Sequence, residues 1–432
     1  MKKRLIFIVL MCLAMSLAAS AEPVFTRVVT GDAQFDAYIP LLEGKRVALF
    51  SNHTGIVGDA TSDSGDVDVD RHFGLDASGN ALTYGEHVLD ALIARGVNVT
   101  AVFSPEHGFR GTADAGAAID DSVDEKTGVP ILSLYANHTH SPAPEDMDKF
   151  DTLVVDMQDV GLRYYTYYIS MYYLMDSCAQ NGKAVVLLDR PNPNGFYVDG
   201  PILQEDYRSG VGQLPIPVVY GMTWGELAGM INGEGWLTAG ANACDLTVIP
   251  CKNYTHPTKT ALIRNPSPNI KDMRAVYLYA STCFFENTKV SVGRGTEFPF
   301  EAYGSPYFKD VDGFAFTFTP QSMSGALEPP FMDETCYGED LRGVPIEEIW
   351  SAGIDPAYLV RAYNAYMQTS PEGSFWGQPN EQGHYWIDLL SGSAELRTMV
   401  EQGKTPEEIK AAWQADIEAF KLQRKPYLLY EE

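Results

Sequence analysis

The chain has 432 residues and carries 57 Asp and Glu against 31 Lys and Arg, a formal net charge of −26 at neutral pH. An acidic balance of this size argues against a nucleic-acid partner, because a phosphate backbone would be repelled. After the first 20 residues no stretch has the roughly 20 apolar residues that a membrane-spanning helix needs, so stable membrane insertion is not expected.

The N-terminus has Lys2-Lys3-Arg4, an apolar run from Leu5 to Ala19, and then Ala19-Ser20-Ala21. A basic start, a short apolar stretch and small residues before the cut form a secretory leader over residues 1–21. Export across the inner membrane to the periplasm is therefore expected. Cleavage would remove three of the 31 basic residues and none of the 57 acidic ones, leaving 28 against 57, or about −29. Cys178, Cys244, Cys251, Cys283 and Cys336 remain, an odd number without a Cys-x-x-Cys pair, so no disulfide framework is indicated. Cys244 and Cys251 alone are spaced for a local bridge, in a compartment that permits one.

Roughly 410 mature residues, at about 150 per domain, imply two or three units. Arg46–Phe50 is a short strand running into Ser51-Asn-His-Thr-Gly55. An acidic connection from Asp59 to Asn80 follows, whose aspartates lack the spacing and closing Glu of a calcium loop. Val88, Leu89, Leu92 and Ile93 then share one face of a helix over Glu86–Arg95, stopped by Gly96. The apolar run Val97–Phe103 is cut by Ser104-Pro105, and Glu106, His107 and Arg110 come next among glycines. Pro130–Leu134, Thr152–Val155 and Ala184–Leu188 continue the series of short apolar strands, with a helix predicted over Thr166–Gln180. Such alternation predicts an α/β fold with a parallel sheet covered on both faces.

Polar clusters fall just past four of these strands: Asn52 and His53, Glu106 and His107, Gln158 and Asp159, Asp189 and Asn192. In open parallel sheets ligands bind beyond the carboxyl ends of the strands, so the four loops point to one site. Nucleotide binding is not supported. There is no Gly-x-Gly-x-x-Gly after the first strand, no Walker sequence, and no Gly-x-Ser-x-Gly nucleophile elbow. No cofactor is expected.

Beyond Gly195 proline, glycine and aromatic residues increase. Met222–Ile231 forms a predicted helix and Leu246–Pro250 a candidate strand. Ser291-Val-Gly-Arg-Gly-Thr-Glu-Phe-Pro-Phe-Glu301 forms a rigid loop holding Arg294 and Glu297. Phe314–Phe318 alternates like a strand. The C-terminal part is helical, ending in a helix announced by the capping box Thr405-Pro-Glu-Glu408.

Taken together, Ser51-Asn-His-Thr-Gly55, Ser104-Pro-Glu-His-Gly-Phe-Arg-Gly111, Asp156-Met-Gln-Asp-Val-Gly-Leu-Arg-Tyr-Tyr-Thr166, Asp189-Arg-Pro-Asn-Pro-Asn194 and Val292-Gly-Arg-Gly-Thr-Glu297 resemble the exo-β-N-acetylmuramidase family of peptidoglycan-recycling glycoside hydrolases. The resemblance runs from about Leu42 to the C-terminus. It implies release of N-acetylmuramic acid from the non-reducing end of peptidoglycan fragments, muramyl saccharides as the partners, and an α/β architecture with a Rossmann-like catalytic domain over 22–200, a smaller mixed α/β domain over 201–432, and the active-site cleft between them.

Glycoside cleavage ordinarily needs one carboxyl group to protonate the leaving oxygen and a second group to stabilise or trap the oxocarbenium-like centre. Glu106, flanked by Phe103, Pro105 and Phe109, suits the first role, since partial desolvation keeps a carboxyl protonated. Glu297 and Asp159 are the two candidates for the second. A 2-acetamido sugar can supply its own carbonyl oxygen instead, leaving the carboxylate to orient the amide. The lactyl carboxylate of muramic acid calls for a local cation, and Arg110, Arg163, Arg190 and Arg294 all lie in the motif loops. Asn52, His53, His107, Gln158, Tyr164, Asp189 and Asn192 complete the expected binding set. Two other classes keep specific features: a metal-dependent cell-wall amidase with His53, His107 and Asp159 as ligands, and a periplasmic sugar-binding protein without turnover.

Overall fold

Each of the main strands is aliphatic on both faces, and this decides where it can sit. In the run Arg46–Phe50, Val47 and Leu49 enter one apolar core while Ala48 and Phe50 enter another, and all four are fully buried. A strand with no polar face must lie inside a sheet covered on both sides. The computed structural model of the chain describes residues 27–58, 68–76, 78–82, 84–105, 109, 121–134, 140–238, 243–369 and 373–432.

The elements are α1 (Phe35–Leu42), β1 (Arg46–Phe50), α2 (Val88–Ala94), β2 (Asn98–Ser104), β3 (Ser122–Val123), β4 (Pro130–Ser133), β5 (Thr152–Val155), α3 (Tyr167–Gln180), β6 (Ala184–Leu188), β7 (Asp199–Ile202), β8 (Pro217–Val219), α4 (Trp224–Gly233) and β9 (Asp245–Ile249). Then follow α5 (Met273–Thr282), β10 (Ala302–Ser305), β11 (Phe316–Phe318), β12 (Cys336–Asp340), α6 (Ile346–Ala352), α7 (Pro356–Thr369), α8 (Trp386–Ser391), α9 (Glu395–Glu401) and α10 (Pro406–Arg424). Seven strands form one sheet in the order β3-β4-β2-β1-β5-β6-β9, parallel throughout except for the edge pair β3 and β4. A three-stranded antiparallel sheet, β10-β12-β11, anchors the smaller C-terminal part, and β7 pairs with β8.

The order in which strands are added to the sheet reverses at β1, which has β2 on one side and β5 on the other, both parallel to it. That switch opens a crevice at the carboxyl ends, because the connections after β1 and β5 leave toward opposite faces. Ser51–Gly55 and Asp156–Arg163 are those connections.

The capping box at Thr405 is present, with Thr405 Oγ1 accepting from the Glu408 amide and the Glu408 side chain accepting in return. The large sheet extends beyond the expected boundary at residue 200, because β9 at Asp245–Ile249 forms its far edge. α5 was not among the elements expected from sequence, and all ten of its residues are buried. The expected leader, with the aspartates at 63 and 66 of the acidic connection, lies outside the described residues. No helix among the described residues is long and apolar enough to cross a membrane.

Cys244 and Cys251 do not pair; both are free and buried. They lie on either side of β9, and seven residues of extended chain set them on the order of 20 Å apart, whereas a disulfide needs Cα atoms within about 7 Å. Thiol titration of the unfolded, unreduced protein should accordingly find Cys178, Cys244, Cys251, Cys283 and Cys336 all reactive. Loss of two thiols that return on reduction would contradict this.

Candidate active site

The loops at the carboxyl edge are stitched to one another before they meet any ligand. Asn52 Oδ1 accepts from the amide and the hydroxyl of Thr54 (2.9 and 2.7 Å), and the Gln158 amide donates to Thr54 Oγ1 at 3.0 Å. Gln158 Nε2 donates to the carbonyls of Asp159 and Pro191, both at 2.9 Å, and Asn194 Nδ2 donates to Val160 O at 2.8 Å. Asn192 Nδ2 donates to Met222 O at 2.7 Å. Gly161, at φ +76°, is needed where the loops cross, since a Cβ there would lie 1.9 Å from Asn192 Oδ1.

Beneath this lattice Arg190 is almost wholly buried. Its Nε meets Asp156 Oδ1 at 2.7 Å, and its Nη2 meets Asp32 Oδ2 at 2.8 Å and Ile56 O at 3.1 Å. Burial raises the Asp32 carboxyl to about 6, against the pull of Arg190. Asp189 accepts from Gly225 N, Thr223 Oγ1 and Tyr430 Oη at 2.6–2.9 Å, so it fastens the start of α4 and the C-terminal tail to the end of β6. Burial lifts its pKa to about 6.

Several residues expected at the substrate therefore belong to the framework. Arg163 is fully buried, and its Nη1 and Nη2 donate to the carbonyls of Pro201, Ile216 and Leu390 at 2.6–2.8 Å. Burial lowers its pKa to about 10, and no face of it is left for a carboxylate ligand. Tyr164 is likewise enclosed, its hydroxyl donating toward the carbonyls of Tyr279 and Ala280. Asp189 and Asn192 are occupied as just described. Arg190 is spent on two aspartates.

Asp159 accepts from Gly161 N at 2.5 Å and Tyr220 Oη at 3.2 Å, both on Oδ1, and burial raises its pKa to about 7. It lines a narrow void of about 10 Å³ with Gln158, Tyr220 and Trp224, close to the least space one water needs. Glu297 is its opposite: the side chain is 74% exposed, and Lys271 Nζ at 2.7 Å holds its pKa below the ordinary value. Among the described residues no cluster of His, Cys, Asp and Glu is arranged to hold a metal ion. Glu106, His107 and Arg110 lie outside the described residues.

A bridge joins these loops to the C-terminal part. His53 Nε2 lies 2.8 Å from Asn265 O, and Tyr167 Oη donates to Pro266 O at 3.1 Å. Farther along the same segment, Asn269 Nδ2 donates to Gly325 O at 2.7 Å. Gly325 in turn lines a cavity of about 650 Å³ with Glu286, Val292, Arg294, Leu327 and Trp386, a size suited to a small ligand. Arg294 is only partly exposed there; its Nη2 meets Glu286 Oε1 at 2.5 Å, and its guanidinium lies 5.0 Å from the Phe300 ring centre. Glu286 was not among the residues expected from sequence, whereas Trp386 belongs to the aromatic cluster His384-Tyr385-Trp386, which by sequence could floor a sugar subsite or as readily be domain core. Glu286 follows directly on the buried turn Cys283–Phe285, and only the fold brings it opposite Arg294.

A doubly wound sheet with polar loops at its switch point, and a ligand-sized cavity beside them edged by a carboxylate, an arginine and a tryptophan, defines an α/β enzyme of the carbohydrate-hydrolase kind. The chain matches the family models described as exo-β-N-acetylmuramidase NamZ, N-terminal, over residues 73–274, and the same description, C-terminal, over residues 277–430. It therefore belongs to the exo-β-N-acetylmuramidase family of glycoside hydrolases. It is 33% identical to a peptidoglycan β-N-acetylmuramidase NamZ of Bacillus subtilis, across 94% of this chain and 92% of that one. Two DUF1343 family proteins of Bacteroides fragilis have similar crystal structures. One is 48% identical with a TM-score of 0.78, covering 94% of this chain and 100% of its own; the other is 27% identical with a TM-score of 0.72, covering 94% and 99%.

Asp159 offers a pH test of the framework. Its pKa is raised from an ordinary 3.8 to about 7, so the fold favours the protonated form. That contribution is complete below pH 3.8 and is lost as the pH rises through about 7. An Asp159→Asn variant, neutral at every pH, should gain thermal stability relative to the parent between pH 5 and pH 8. Parallel stability curves would show that Asp159 is not held protonated.

Proposed function

We propose that this protein is an exo-acting glycoside hydrolase that releases N-acetylmuramic acid from the non-reducing end of peptidoglycan fragments, with Glu106 as general acid. The observation that carries the reading is the match of both halves of the chain to the N- and C-terminal models of one muramidase family. The Asn265–Asn269 segment also ties His53 of the first motif loop to Gly325 in the C-terminal half.

β2, which pairs with β1 at the switch point, ends at Ser104, and Glu106 comes two residues later in the sequence. A carboxyl among apolar neighbours retains its proton and can give it to the leaving oxygen. Of the two carboxyls considered for the second role, Glu297 is the ionised one, fit to orient the substrate acetamide or to face positive charge at the anomeric carbon. Asp159 is enclosed and biased toward its neutral form. Among the described motif-loop arginines, Arg294 lines the cavity of ligand size, and it would receive the lactyl carboxylate. His53 borders the same bridge. The leader over residues 1–21 would deliver the enzyme to the periplasm, where muramyl fragments are present.

The direct test is hydrolysis of a chromogenic β-N-acetylmuramide beside the matching N-acetylglucosaminide, with Glu106→Gln in parallel. The muramide alone should be cleaved, and the variant should lose roughly 100- to 10,000-fold in kcat/KM, the usual range for a missing general acid. Tight sugar binding without release from either compound would instead point to a binding protein.

A further inference from the structure

We propose that Glu286 is a specificity-determining residue, which presents one edge of the Arg294 guanidinium to a ligand carboxylate in the cavity. The inference rests on the hydrolase reading above, deepens its binding site, and gives Glu286 a positioning role exerted through Arg294.

The backbones of both residues are fixed independently of the contact between their side chains. Glu286 N donates to Cys283 O at 3.0 Å, and the turn before it is buried, with the Phe285 ring stacked on Tyr303 at 4.7 Å between centres. Arg294 stands between Gly293 and Gly295, at φ +77° and +82°. The amide and the hydroxyl of Thr296 both donate to Gly293 O, at 3.1 and 2.6 Å, and Gln321 N donates to Gly295 O at 2.8 Å. What is left to set at position 294 is a long side chain, whose rotamer freedom must be given up when it binds a ligand.

Glu286 removes that freedom from one side of the guanidinium. Arg294 Nε and Nη2 both donate to the same oxygen, Glu286 Oε1, at 3.2 and 2.5 Å. Among the described residues no other group accepts a hydrogen bond from Arg294. The end edge, formed by Nη1 and the second hydrogen of Nη2, is therefore the one a ligand meets, and its parallel donors match a carboxylate bidentately. Both residues line the cavity of about 650 Å³, where Val292 and Leu327 supply apolar surface. A lactyl ether carries a carboxylate and a methyl group on one carbon, and N-acetylglucosamine has neither.

The charge of Glu286 and its geometry act in opposite directions. Repulsion alone makes its removal strengthen the binding of an anion, whereas loss of orientation makes its removal weaken it. The cation stands between the two carboxylates and lengthens their separation, so the orientation effect governs.

Kinetics on a chromogenic β-N-acetylmuramide, with calorimetric binding of free N-acetylmuramic acid and N-acetylglucosamine, test the role in the full-length mature enzyme. Glu286→Ala should raise KM for the muramide and Kd for N-acetylmuramic acid about two- to tenfold, the usual cost of immobilising one long side chain, while kcat changes less. Its Kd for N-acetylglucosamine should stay at the parent value. Glu286→Gln keeps an acceptor oxygen at the same reach and should return KM to near that of the parent. If the alanine variant does not fold, Glu286→Leu, close in volume but without the acceptor, gives the same reading. A Glu286→Ala KM at or below that of the parent, an equal loss for both sugars, a glutamine variant as weak as the alanine one, or a parent without preference for N-acetylmuramic acid would overturn the assignment. A parent that binds N-acetylmuramic acid selectively yet cleaves no muramide would overturn the hydrolase reading instead, and the dissociation constants would still decide the role of Glu286.

Discussion

The carboxyl edge of the sheet depends on one buried cation. Arg190 leaves the end of β6 and meets Asp156 at the end of β5, Asp32 ahead of α1, and the carbonyl of Ile56 beyond β1. Among the described residues, the connections after β1 and β5 are therefore referred to one guanidinium at the end of β6. A pair of carboxylates in a dry interior is costly, and removing the cation between them would leave both unpaired, which typically costs about 3–5 kcal/mol. The attraction is directional as well as strong, because the planar fork fixes where each aspartate sits. Thr54, Gln158 and Asn194 then build the remaining hydrogen bonds on that geometry.

This arrangement explains why so many polar residues near the site make no use of solvent. A loop with buried amides and carbonyls must satisfy them internally, and short polar side chains such as Asn52 and Asn192 do so at little entropic cost. The chemistry then falls to the few groups left beyond the lattice. On the C-terminal side the cavity wall is organised in the same manner, with the Glu286–Arg294 pair and the Lys271–Glu297 contact fixing a glycine-rich loop against α5. Two parts of the chain, each rigid for its own electrostatic reason, are joined by the segment from Asn265 to Asn269.

Much of this was legible in the sequence because it is local. β1, β2, β5 and β6 announce themselves as short aliphatic runs, α2 by its one-sided leucines, and α10 by a capping box, each decided within a few residues. The placement of polar clusters after parallel strands followed from topology alone. What could not be read was burial imposed from a distance. Arg163 and Tyr164 sit in a motif beside the site, yet their partners are Leu390, 227 positions away for Arg163, and Ala280, 116 away for Tyr164. Spacing cannot show that such a side chain has been used up. Glu286 was hidden for the converse reason: it lies beside unremarkable apolar residues, and its partner is fixed only when the loop folds back on α5. The apparent Cys244–Cys251 pair failed because the intervening residues are a strand rather than a turn.

The central claim is that substrate binds at the carboxyl edge of the sheet, between the switch-point loops and the Arg294 cavity. A crystal structure of the Glu106→Gln protein soaked with a peptide-free muramyl disaccharide tests it most directly. The account predicts density for the muramic acid ring in that crevice, with its lactyl carboxylate against Arg294 and its glycosidic oxygen facing position 106. Density at the opposite, amino-terminal edge of the sheet, where Leu41, Lys45, Asp151, Lys183 and Thr247 line a second cavity of about 610 Å³, would contradict it.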